Sequence, residues 1–168
     1  MTAVTKRRTT RRIWPSSIPR DIYEHVKASG VEIVNATGRS DDKTAATAYK
    51  ALRLYWRNQE RAGRTHPFLP EMVADFTDSP HARVRLYYVA LRLARQHRVP
   101  QDHTILLSLG TVQLELGHRR AACRSYAAAE ANARLWRDRE SVREARRLLR
   151  QAGGRPTIGI WTPPSSTE

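Results

Sequence analysis

Between Ser40 and Gly63 the chain carries apolar residues at helical spacing, bracketed by a start signal and a stop signal, and such brackets recur as far as Gly153. Ala45, Ala48, Leu52, Tyr55, Trp56 and Gln59 share one face of the segment, while Lys50, Arg53, Arg57, Glu60 and Arg61 hold the other. A period near ~3.6 residues predicts an amphipathic helix, with Ser40 as its cap and Asp41 and Asp42 in the positive first turn. No β-alternation of useful length appears elsewhere. The expected fold class is therefore all-α, an array of antiparallel helix pairs with about six to seven helices.

Other boundaries follow from the same signals. Ser17, Pro19, Asp21 and Glu24 open a short helix over 17–29 with Gly30 just past its end, leaving Val31 to Gly38 as an extended link. Pro67 to Phe76 is a shorter helix, and Asp78-Ser79-Pro80 starts another that runs to Arg98 before Pro100. Its apolar arc (Val84, Leu86, Tyr87, Val89, Ala90, Leu93, Ala94) covers more than half the wheel, so it must pack on two sides. Asp102 to Leu116 and His118 to about Trp136 form the next two, separated by Gly117. A last basic helix starts at Asp138 or Ser141, with Ser141 and Glu144 at capping-box spacing, and ends at Ala152 before Gly153-Gly154. Residues 1–16 read as a basic flexible arm, 17–152 as the helical domain and 153–168 as a Pro- and Gly-containing tail.

Charge narrows the partners. Lys plus Arg is 30 against 16 acids, a net charge of +14, and 26 of those cations are Arg. Arg makes the better bidentate phosphate contact, but a GC-rich genome yields the same skew. Apolar residues at 40% and a mean hydropathy of −0.63 suit a soluble globular chain. No stretch approaches the roughly 20 apolar residues of a membrane span. The first 20 residues lack an apolar signal core, so a cytoplasmic chain is expected, although their basic, acid-free composition is shared with organelle transit peptides. One cysteine, Cys123, excludes an internal disulfide and a multi-Cys metal site.

Leu106, Leu109-Gly110, Gly117, Ala122, Tyr126 and Ala129 fall at the spacing of a tetratricopeptide repeat, which this segment resembles. Leu106 stands where the family prefers Trp, and Gln113 where it prefers an aromatic. A second, degenerate unit over about 66–98 carries Tyr87 and Ala90 at the second-helix positions, 39 residues before Tyr126. The resemblance covers about 66–152 and implies a non-enzymatic scaffold that presents a groove to a protein or peptide partner. It also implies that the helix after Trp136 is a solvating cap.

Candidate chemistry is sparse. The six histidines are scattered, and none lies at metal-ligand spacing. Arg92 to His97 has the Arg-x4-His spacing of the helical ribonucleases called HEPN, but Arg20–His25, Arg61–His66 and Arg98–His103 share it, and Leu93 replaces the usual polar residue. No Gly-rich phosphate loop occurs, and no enzyme, cofactor or metal is expected. Arg85, Tyr88, Arg92, Arg95 and Gln96 form one polar stripe in a stretch with no acid from Asp78 to Asp102. That stripe suits an acidic peptide, or a phosphate backbone with a stacked base. Arg143, Arg146, Arg147 and Arg150 read as surface ion pairs, partly offset by Glu140 and Glu144. The arm residues Lys6, Arg7, Arg8, Arg11 and Arg12 are the nucleic-acid-binding alternative. Trp14 and Trp161 each sit in a short polar segment, as anchors that fold back or dock on another chain of a larger assembly.

Overall fold

The computed structural model describes residues 18–97 and 102–154. Among the described residues seven helices run in order: α1 (Arg20–Gly38), α2 (Asp42–Arg61), α3 (Phe68–Asp75), α4 (Pro80–Gln96), α5 (His103–Glu115), α6 (Arg119–Leu135) and α7 (Arg139–Gln151). Among the described residues there is no strand, and no helix is long and apolar enough to cross a membrane. Each helix packs chiefly on its neighbours in sequence: α1 on α2, α3 on α4, then α4, α5, α6 and α7 in succession. Turns of a few residues join α1 to α2, α5 to α6 and α6 to α7, and because each pair also packs together its helices run antiparallel. The wide apolar arc of α4 is covered from both sides, by α3 and by α5.

Two stretches differ from their expected form, and at a third the structure decides between two expected starts. Gly30 does not end α1: it is buried inside a helix that continues through Ile33 and Ala36 to Gly38, so Val31 to Gly38 is not an extended link. The side-chain-free face of Gly30 admits Phe76 and Met72, 3.5 and 3.8 Å from where a Cβ would stand. Ser40 does not cap α2. It lies at φ +56°, and Asp41 is the cap, accepting from Thr44 N–H at 3.1 Å. For α7 the cap is Asp138, whose Oδ1 accepts from the N–H groups of Glu140 and Ser141.

Five helices end in one motif. The residue after the cap bonds back three positions and the next residue bonds back five, at the ends of α1, α2, α5, α6 and α7. Its pivot needs positive φ. Gly63, Gly117 and Gly153 supply it after α2, α5 and α7, whereas Ser40 (+56°) and Arg137 (+58°) adopt it after α1 and α6. Side-chain-bearing residues occupy this region at a cost of roughly 1–2 kcal/mol.

The core lies along the array in three parts. Ile22, Val26, Leu52, Leu69 and Val73 are buried between α1, α2 and α3. Tyr87, Ala90, Ile105, Leu109 and Val112 hold α4 to α5. Ala122, Tyr126, Leu149 and Ala152 bind α6 to α7. At Gly110 a Cβ would stand 2.6 Å from the Tyr126 ring, so α5 and α6 meet at a distance only glycine permits.

Candidate functional site

The polar stripe of α4 is presented to solvent, since Arg85, Tyr88, Arg92 and Arg95 are all exposed. Its members reach toward different neighbours. Arg85 lines a cavity of about 610 Å³ between α2 and α4, together with Arg53, Arg57, Trp56, Leu86 and Val89. Glu60 and Asp78 share that lining, so its charge is mixed. Arg53 is held over the Tyr49 ring, 5.7 Å from its centroid. Tyr88, 54% exposed, turns its hydroxyl to α5 and accepts from Gln113 Nε2 at 3.3 Å. Gln113 Oε1 accepts in turn from the buried Ser125 hydroxyl at 2.7 Å. Gln113 thus joins α4, α5 and α6 through polar contacts.

Arg95 lies at the far end of the stripe. Burial pushes the Asp102 carboxyl up, and the charges of His103 and Arg95 pull it back. Lys6, Arg7, Arg8, Arg11, Arg12, Trp14 and Trp161 lie outside the described residues.

A second basic surface forms where α6 turns into α7. Arg134, Arg137, Arg139, Arg143 and Arg146 line a cavity of about 620 Å³ with Val142. The expected surface ion pairing of α7 holds for Arg147, which forks onto Glu144. It does not hold for Arg146, whose Nε donates instead to the buried Glu130 of α6 at 2.7 Å. Arg134 donates to the same Glu130 oxygen. Sequence spacing missed this grouping. Its one local signal is the density of Arg around Trp136.

Buried polar groups gather in two further places. His103 of α5 lies between Asn132 Oδ1 at 2.9 Å and Asp138 Oδ2 at 3.2 Å, and Asp138 also accepts from the Ser141 hydroxyl at 2.8 Å. These three types recur in nucleophilic sites, but here the carboxylate stands between Ser and His, so no imidazole faces the hydroxyl. The cluster is a helix cap tied to α5. Glu71 of α3 is buried, and burial beside the Asp75 charge pushes its carboxyl up to about 8, against a hydrogen bond from Thr104. Tyr87 donates to Asp75 at 2.6 Å beside it.

His97 is bonded to Thr65 through Nε2 at 3.0 Å, on the loop between α2 and α3. Cys123 donates to the Ala152 carbonyl at 3.6 Å, and its neighbours are those of a packing residue. Among the described residues no group of three His, Cys, Asp or Glu side chains is placed to hold a metal ion. Compared with known proteins, the chain matches no family model, no curated protein and no solved structure.

Proposed function

We propose that this protein is a non-enzymatic, cytoplasmic helical scaffold that docks an acidic peptide or protein segment between α2 and α4. The observation that carries the reading is the cavity lined by Arg53, Arg57 and Arg85 together with Trp56, Leu86 and Val89. Arginines and apolar side chains in one lining suit a segment with alternating acidic and apolar side chains. Tyr88, Arg92 and Arg95 extend the same face along α4, in solvent and on one stripe. A tetratricopeptide-like character of residues 66–152 belongs to this proposal. It is supported by the close approach at Gly110 and the buried alanines of α6. In an assembly, Trp14 and Trp161 would be further anchors for partner subunits.

The test is calorimetric titration of the full chain with a peptide alternating Asp or Glu with Leu. Binding is expected, weakened about 30-fold or more by the paired change Arg57→Gln and Arg85→Gln, since each removes a charge-assisted contact of about 1 kcal/mol or more. Tyr88→Ala, which leaves the charge intact, should weaken it less. Equal affinity in the wild type and the paired Arg variant would sink the reading.

A further inference from the structure

The turn from α6 to α7 gathers five arginines, of which two meet a carboxylate. Of the five arginines lining its cavity, Arg134 and Arg146 share the buried Glu130 carboxylate, which fixes one guanidinium on each wall. Arg137, Arg139 and Arg143 have no carboxylate partner among the described residues. No carboxylate among the described residues lines this cavity, in contrast to the α2/α4 cavity with its Glu60 and Asp78. Two large apolar side chains are left in solvent at the same turn, Leu135 at 78% and Trp136 at 38% exposure.

The backbone adds an independent sign. Arg137 adopts φ +58° at the pivot where α2, α5 and α7 use glycine. Glycine would relieve that φ, so Arg137 carries its guanidinium to the cavity at a backbone penalty, one that Ser40 also bears after α1.

We infer that this turn binds single-stranded nucleic acid, its phosphates held by Arg137, Arg139 and Arg143 and a base stacked on Trp136. The planar guanidinium fork matches a phosphate in two hydrogen bonds. An exposed aromatic beside a basic groove is the platform on which an unpaired base stacks, and a duplex hides that base face. The site is separate from the α2/α4 groove and does not depend on the peptide reading.

The test uses the full chain, with its basic arm, titrated into labelled oligouridylate and oligothymidylate of about 12 nucleotides. Fluorescence anisotropy is read at several salt concentrations between roughly 50 and 200 mM. Arg137→Gly is the decisive variant because it removes the charge while relieving the backbone. Binding should weaken about 5-fold or more, the log–log salt slope should become shallower by about 0.7, and Tm should hold or rise. Ser40→Gly makes the same relief after α1 and should leave affinity unchanged. Trp136→Ala should weaken binding about 5-fold or more at unchanged salt slope. Arg85→Gln, which tests the peptide groove, should have no effect here. Wild-type affinity in both Arg137→Gly and Trp136→Ala would overturn the inference, since binding would then run through the arm. So would displacement of the oligonucleotide by polyglutamate or by duplex DNA as readily as by a single strand.

Discussion

The first three helices and the last three are packed from different materials. In α1 to α3, large side chains fill the space between helices: Tyr23 stacks on Phe68 with centroids 6.1 Å apart, His25 stacks on Tyr55 at 3.7 Å, and Trp56 and Phe76 pack against the same cluster. In α6 and α7 small residues make up most of the buried faces, packed beside Tyr126 and Leu149. Ala122, Ala129, Ala133 and Ala145 are fully covered, Gly110 lies under Tyr126, and polar links through Gln113, His103 and Glu130 tie the helices together. Large side chains tolerate adjustment but leave a hole when cut. Close-packed small residues leave no hole, but they refuse any added atom. The two regions should therefore fail under opposite substitutions.

Of the changes that set the two regions apart, deletion in the first should have the largest effect. Leu69 is completely buried among Ile22, Val26, Leu52 and Val73. Leu69→Ala should cost about 2–5 kcal/mol, through lost transfer energy and the cavity left behind. Chemical denaturation measures it. A cost under about 1 kcal/mol would mean that the aromatic surround collapses into the space and the contrast is wrong.

Addition in the second region should come next. Gly110→Ala places a methyl 2.6 Å from the Tyr126 ring and should destabilise by about 1–3 kcal/mol. Tyr126→Ala alone loses a buried ring and should cost about as much as other aromatic truncations, about 3–5 kcal/mol. The double variant sharpens the point: with the ring gone, the methyl has room, so the two costs should fall short of their sum by about 1 kcal/mol or more. Additive costs would show that Gly110 is set by something other than Tyr126.

These two regions also differ in what their sequence revealed. Stop signals at Gly63, Gly117 and Gly153 were legible because each glycine answers a local backbone need, the positive φ of a helix end. Gly30 was misread because it lies inside α1 with no positive φ, and a glycine in mid-helix carries no local mark that tells it from one just past a helix end. Ser40 and Asp41 are both able to cap, and their order of preference depends on where α1 ends. The stripe of Arg85, Tyr88, Arg92 and Arg95 could be read because one helix carries all four. The arginine cavity could not, since Arg134 and Arg137 meet Arg143 and Arg146 only after the turn folds α7 back on α6. For the same reason His103 looked isolated until Asp138, 35 residues later, came within 3.2 Å of it.

Titration tests the junction between the regions. Glu71 is folded with its carboxyl raised to about 8, from an unfolded value near 4.5. The native state therefore holds the proton more tightly, and stability falls as pH rises from about 4.5 to about 8. His66 acts in the other direction lower down: burial depresses it from 6.5 to about 4, so stability rises with pH across that span. Between pH 6.5 and 8 the Glu71 slope is free of it, and should amount to roughly 1–2 kcal/mol. Glu71→Gln keeps an acceptor for the Thr104 hydroxyl and removes the charge. Its stability should exceed that of the wild type at pH 8 and approach it at pH 5. A wild-type denaturation midpoint unchanged from pH 6.5 to 8 would show that Glu71 does not hold its proton in the folded chain.

The smallest effect has the opposite sign. Gly30 and Gly110 are both buried in helix interiors, where glycine costs about 0.5–1 kcal/mol relative to alanine. At Gly110 the missing methyl is a necessity. At Gly30 the nearest atoms to an added Cβ are the Phe76 ring carbons at 3.5 Å and Met72 Cε at 3.8 Å, which is ordinary contact. Gly30→Ala should therefore stabilise the protein by about 0.5–1 kcal/mol, raising Tm by a few degrees, because the helix gain meets no steric charge. The same change made in α1 and in α5 would then move Tm in opposite directions. A fall in Tm for Gly30→Ala would mean that the aromatic packing of α1 on α3 is as intolerant of an added atom as the alanine-lined half, and the division between the two regions would not hold.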